Sequence, residues 1–153
     1  MKILLAIDGS NYSKIAIEEV ANRVFPVKSE INIICVYKKM TQLLEMDPMG
    51  VLREYYAELD QGALKSARSI TGDALGIIRD QNPELILKAF EIGGSPKSII
   101  LEVAETLGVD LIIVGSQGHG TVEGFLLGSV SQSVALHAKC SVEVVRKRMQ
   151  NEL

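Results

Sequence analysis

The chain is expected to fold as an α/β protein, a single domain on an open five-stranded parallel sheet with helices on both faces. Three observations predict it. Four apolar, β-branched runs (3–7, 31–37, 111–114 and 142–145) are too short for helices, and they are too uniformly apolar for strands with one wet face. Between them lie stretches whose apolar residues recur at three- and four-residue spacing. The two kinds alternate strictly, which implies a parallel sheet with right-handed crossovers.

The first strand, 3–7, ends at Asp8. A helix follows on Tyr12, Ile15, Ala16, Val20 and Val24, with Pro26 as its terminator. After the strand 31–37, the segment 38–50 fits no period. It is read as a long mobile connection, with Met40, Met46 and Met49 as a loosely packed flap. A long apolar stripe through Leu52, Tyr56, Leu59, Ala63, Ala67, Ile70, Ala74 and Ile77 makes a helix over about 50–80. Gly62 and the Thr71-Gly72 pair weaken it by about 1 kcal/mol per glycine and mark the place for a kink. A fifth, weaker strand is read over 85–90, after Pro83 and interrupted by Lys88. Ser95-Pro96 reads as a helix N-cap followed by proline at the first helical position, and Gly108 as the C-terminal cap of that helix. The strand 111–114 leads to Gly115. A last helix is read over 126–138 through Val130 and Val134, before the strand 142–145.

With 153 residues the chain suits one domain, read over 1–148 with a tail at 149–153. The apolar share of 47% and charged share of 23% are those of a globular chain able to bury a core without disulfide or metal staples. A net charge of −3 and pI near 5.4 lack the basic footprint of a nucleic-acid binder. Seven aromatics, none of them Trp, leave little for stacking bases. No apolar run approaches the ~20 residues that cross a bilayer. Asp8 stops the opening run too early for a secretory signal of roughly 7–15 apolar residues. Cys35 and Cys140 lie far apart and read as two buried thiols in a reducing compartment, so a cytoplasmic location is expected.

In open α/β sheets, ligands sit beyond the carboxyl ends of the strands. The residues there are Asp8-Gly9-Ser10, Val36-Tyr37, and the stretch from Gly115 to Ser131. In that stretch Gly115, Gly118 and Gly128 let backbone amides approach a ligand, and Gly128-Ser129 opens the last helix. Free amides at a helix N-terminus suit a phosphate, and Ser129 and Ser131 offer hydroxyl donors. A plain glycine-bearing loop with Ser129 as a helix cap fits the same spacing. No glycine is followed by lysine, so there is no P-loop, and the dinucleotide pattern started at Gly118 fails at Glu123.

The spacing Gly115-x2-Gly118-x9-Gly128-Ser129 resembles the ATP-binding signature of the universal stress protein family. The opening strand before Asp8-Gly9-Ser10, the turn Leu126-Leu127-Gly128-Ser129-Val130-Ser131 and the closing Cys140-Ser141-Val142-Glu143-Val144-Val145-Arg146 are similar to that family's words, with Ser141 where proline is usual. The fold that goes with it is Rossmann-like, with strand order 3-2-1-4-5. The resemblance implies a place for Asp8 beside the ribose, where a helix-capping Asp is the competing reading. Val36 would lie on the adenine face, with Ala6, Ile7 and Val114 lining the apolar part, positions that also suit sheet core. Gly115, Gly118, Gly128, Ser129, Val130 and Ser131 would hold ribose and phosphates. Gln117 stands where members often carry His or Arg, which weakens phosphate contact. His119 follows Gly118 and either donates to a phosphate or sits as an exposed loop histidine.

The function implied is an ATP-binding, nucleotide-dependent regulatory homodimer in the stress response. Mg²⁺ or Mn²⁺ would be held by the phosphates, with no metal site of the protein's own. Hydrolysis would be slow at most, because the phosphate loop offers no Arg or Lys and no base besides His119 and Glu123. The dimer would pair the last strand, Val142, Glu143, Val144 and Val145, with its copy, Glu143 facing partner or solvent. The alternative is a structural dimerisation module whose pocket is empty or takes AMP or a cyclic nucleotide. An adenylating enzyme of the wider superfamily would need a Ser-Gly-Gly-x-Asp-Ser loop, which 6–10 lacks.

Overall fold

The computed structural model describes residues 1–119 and 126–147. The elements follow in strict alternation: β1 (Lys2–Ile7), α1 (Asn11–Asn22), β2 (Glu30–Tyr37), a 3-10 helix (Met40–Met46), α2 (Arg53–Gln81), β3 (Ile86–Gly93), α3 (Pro96–Leu107), β4 (Leu111–Gly115), α4 (Ser129–His137) and β5 (Ser141–Val145). The strands form one five-stranded sheet in the order β3-β2-β1-β4-β5, every neighbour parallel. All carboxyl ends therefore share one edge.

Alternation along the strands sorts the core into two layers. Ile3, Leu5, Ile31, Ile33 and Ile113 face Ala16, Val20, Ala67, Ala74 and Ile78 of α1 and α2. Leu4, Ala6, Ile34, Ile112 and Val114 face Ile100, Ala104 and Val134 of α3 and α4. The side chains of Ile3, Leu4, Ile33 and Ile112 are wholly buried, which is why these runs carry no polar face.

Several expectations shift. Helix α1 ends at Asn22, and Val24 lies outside it, 92% exposed, because the chain turns extended at Arg23. The weakest expected strand is the eight-residue β3. Its place at the sheet edge tolerates Lys88, whose ammonium reaches Glu30 at 2.9 Å. Helix α2 runs unbroken through Gly62 and Gly72 for 29 residues, about 43 Å. The aperiodic connection holds the 3-10 helix. Ser95 stands at the N-cap of α3, but its side chain makes no cap bond; Gly108 closes that helix in the left-handed region at φ 60°. The last helix begins at Ser129, not 126, with Gly128 as its N-cap. Both thiols are free, but only Cys35 is buried; Cys140 is half-buried. Glu143 is half-buried and receives the Arg23 guanidinium at 2.8 and 2.5 Å. That contact holds the Glu143 carboxyl below the ordinary range. Thr121, Glu123, Arg148 and the tail 149–153 lie outside the described residues. Among the described residues, no helix is long and apolar enough to cross a membrane.

Candidate functional site

At the shared carboxyl edge the loops leave a cavity of about 730 Å³. Its floor is built where β1, β2 and β4 end, from Ala6, Ile7, Cys35, Val36 and Val114. Asp8 leaves β1 at one side. Gly115, Gly118 and His119 come from the loop after β4, and Gly128, Ser129, Val130 and Ser131 from the start of α4. Every residue expected in a site thus borders one space.

The start of α4 is open for a physical reason. The N-cap is Gly128, which has no side chain to cover the first turn. The amides of Ser129 and Val130 are first-turn donors with the positive end of the helix dipole behind them. The turn is held from beneath. Gly128 N donates to Ser116 O at 2.7 Å, and the buried Ser131 hydroxyl is directed at the carbonyls of Ser116 and Gly128, each at 2.9 Å. Ser131 therefore fixes the turn rather than offering its proton outward. Gln117 is buried and braces the far side of the loop through Leu126 O at 2.8 Å.

The glycines serve closeness rather than unusual backbone angles. None of Gly115, Gly118 and Gly128 has positive φ. A Cβ on Gly115 would lie 2.9 Å from the Tyr12 backbone, and one on Gly128 would lie 3.1 Å from Gln117 Cα. A Cβ on Gly118 would lie 2.5 Å from Asp8 Oδ2. The loop and the first strand's carboxylate are thus as near as two chain segments come.

Asp8 does not cap α1; Ser10 does, accepting from Ser13 N at 3.2 Å. The Asp8 carboxylate instead accepts from Ser10 N at 2.9 Å and Ser13 Oγ at 2.6 Å on one oxygen, and from His119 N at 3.1 Å on the other. The His119 ring donates from Nε2 to the Asp8 carbonyl at 2.8 Å. Burial pushes the Asp8 carboxyl up, but the bonds from Ser10, Ser13 and His119 outweigh it and hold it below its ordinary value. An anionic Asp8 with lone pairs left on Oδ2 suits hydroxyl donors. Cys35 beneath it is no nucleophile: burial, then the charges of Asp8 and Glu91, push its thiol up to about 11.

Sequence reasoning did not place in the site Ser13, which locks Asp8, or Lys38, Lys39, Gln42 and Leu43, which also line the cavity. Ser13 had a weak signal in the spacing Ser10-x2-Ser13. Gln42 had none. Among the described residues no group of three or more metal-binding side chains is gathered.

The sequence model of the universal stress protein family matches residues 1–146. A universal stress protein of Methanothermobacter thermautotrophicus is 32% identical over 117 residues, 76% of this chain and 77% of its own. Among solved structures, hypothetical protein MJ0577 superposes with a TM-score of 0.81 at 26% identity, covering 97% of both chains. A universal stress protein in complex with cAMP gives a TM-score of 0.65 at 21% identity, covering 95% of both chains. An Arabidopsis thaliana family protein with AMP bound gives a TM-score of 0.63 at 16% identity, covering 100% of this chain and 95% of that one. The chain belongs to the universal stress protein family.

Proposed function

We propose that this chain binds ATP and acts as a nucleotide-dependent regulatory homodimer. The observation that carries the reading is the single cavity joining the uncapped start of α4 to the anionic Asp8 and the apolar floor at Val36. Those three surfaces match phosphates, ribose and base in order along one nucleotide. The amides of Ser129 and Val130 would receive the phosphates, Asp8 the ribose hydroxyls, and Ala6, Val36 and Val114 the base. Micromolar affinity, about −8.2 kcal/mol, is within reach of such a set. Mg²⁺ or Mn²⁺ would accompany the phosphates. The stretch from Gly115 to Ser131 contains no Arg or Lys to stabilise a transferring phosphoryl group, so binding with at most slow hydrolysis is the expected activity. Two free thiols fit a reducing cytoplasm. The second reading, another adenine nucleotide in the same cavity, is favoured by the family structures holding cAMP and AMP.

The test is calorimetry of the purified chain with ATP, ADP, AMP and cAMP, alongside mass spectrometry of small molecules released on denaturation. ATP should bind at micromolar Kd and Gly118→Val should abolish it with circular dichroism unchanged. An unchanged dissociation constant in that variant rejects the phosphate cradle. Tighter binding of AMP or cAMP selects the second reading.

A further inference from the structure

The nucleotide reading gives no role to the part of the cavity lining that follows β2. Neighbouring strands lie about 4.8 Å apart. With phosphates over α4 and β4 and the ribose at Asp8 on β1, the base lies over Val36 at the end of β2. The next strand outward is β3, and the cavity is also lined by Lys38, Lys39 and Gln42 of the chain leaving β2 and by Gly94, Ser95 and Pro96 of the chain leaving β3. Resting on that reading, we infer that the lining after β2 meets the base edge farthest from the sugar, and that Gln42 determines which base is accepted.

Two observations single out Gln42. Lys39 also lines the cavity, but its stem lies over Gly93, where an added Cβ would meet Lys39 Cδ at 3.2 Å. Gln42, in contrast, follows a residue that α2 holds firmly. The Asp60 carboxylate accepts from Met40 N at 2.5 Å, Thr41 N at 3.2 Å and Thr41 Oγ1 at 2.6 Å. One carboxylate thus takes the opening amides of the 3-10 helix and pins its first turn at the cavity rim. Asp60 is a positioning residue; Gln42 is the contact.

The chemistry gives a directional test. A carboxamide donates and accepts, and the outer edge of adenine offers the N1 acceptor beside the N6 donor. A carboxylate only accepts. It opposes N1 of adenine but suits guanine, whose N1 and N2 both donate. Gln42→Glu should therefore shift the ratio of ATP to GTP affinity at least about tenfold toward GTP, and Gln42→Ala should weaken ATP several-fold. Asp60→Ala should shrink the ATP preference while leaving the difference between ATP and AMP, set at the other end of the cavity, unchanged. Calorimetry with ATP, GTP and AMP on the four proteins reads all three effects. If the wild-type chain binds ATP and both Gln42 variants keep its ATP-to-GTP ratio within twofold, the assignment of Gln42 is wrong and the nucleotide reading stands. If the wild-type chain binds no nucleotide, both fall together.

Discussion

His119 grips Asp8 twice: its backbone amide donates to the Asp8 carboxylate at 3.1 Å, and its ring nitrogen Nε2 donates to the Asp8 carbonyl at 2.8 Å. The loop after β4 is thereby tied to the end of β1 before any ligand arrives. Of the two readings left open for His119, the structure has an exposed loop histidine whose ring nitrogen meets the first strand. Preorganisation of this kind raises affinity by lowering the ordering cost of binding. Removing the ring takes away one hydrogen bond of about 0.5–1.5 kcal/mol. His119→Ala should weaken ATP binding about 3- to 10-fold, read by calorimetry. His119→Gln, which can restore a donor near the Nε2 position, should recover part of it. Wild-type affinity in the alanine variant would show that the grip does not shape the site.

Asp8 also links the site to stability. Its folded carboxyl lies below the ordinary aspartate range because the hydrogen bonds it receives outweigh its burial. The sign follows from linkage: ionised Asp8 stabilises the fold above its unfolded pKa, and that contribution fades as the pH falls through the lower folded value. Asp8→Asn should cost about 1–3 kcal/mol at pH 7, since an amide nitrogen then faces donors. In urea denaturation the gap between wild type and variant should close as the pH drops from about 5 toward 2. A gap that stays constant over that range would mean the carboxylate charge is not what the surrounding donors hold.

What the sequence disclosed, and what it withheld, follows from the range of the interactions. The central strands were legible because two buried faces favour apolar residues at nearly every position, as in Ile31, Ile33 and Ile34, with the buried Asn32 an exception. Strand β3 was faint because an edge position relaxes that demand and admits Lys88. The apolar pattern alone ran α4 back to Leu126, which is 84% exposed, whereas the Gly128-Ser129 pair marked its true start. The site's strand ends were found by topology alone. The clasp of Asp60 on Thr41 and the lock of Ser13 on Asp8 were not, since each joins residues whose meeting no local pattern announces. The signature glycines were read as openings for a ligand, and each also marks a close approach of a neighbouring segment of the protein itself.

Identical substitutions should accordingly have opposite signs in different parts of the chain. At Gly115 a methyl group would press on the Tyr12 backbone at 2.9 Å, so Gly115→Ala should destabilise by about 1–3 kcal/mol. At Gly62 and Gly72 of α2 an added Cβ meets nothing within 4 Å. There the helix gains propensity and the unfolded chain loses freedom, so Gly62→Ala and Gly72→Ala should each stabilise by about 0.5–1 kcal/mol. Thermal unfolding should register this as a rise of roughly 1–4 °C per substitution. A fall in Tm for either α2 variant would reveal a packing role for that glycine.

Strand β5 closes the sheet on one side with only β4 as its neighbour among the described residues. Arg23, the residue that follows α1, fastens it through Glu143, so the strand is anchored from within. Ser116 N donates to Val145 O at 2.8 Å, which turns the peptide groups of Val145 toward β4. Backbone groups alternate along a strand, so those of Val142 and Val144 point to the open edge. An edge of this kind recruits another strand, and a second copy of β5 running antiparallel would satisfy it symmetrically. Proline is tolerated where the missing N–H faces outward. Val144→Pro should therefore abolish dimers in analytical ultracentrifugation while far-UV circular dichroism and ATP binding persist. A variant that sediments as a dimer would place the contact elsewhere, and a monomeric wild-type chain at high micromolar concentration would remove the dimer altogether.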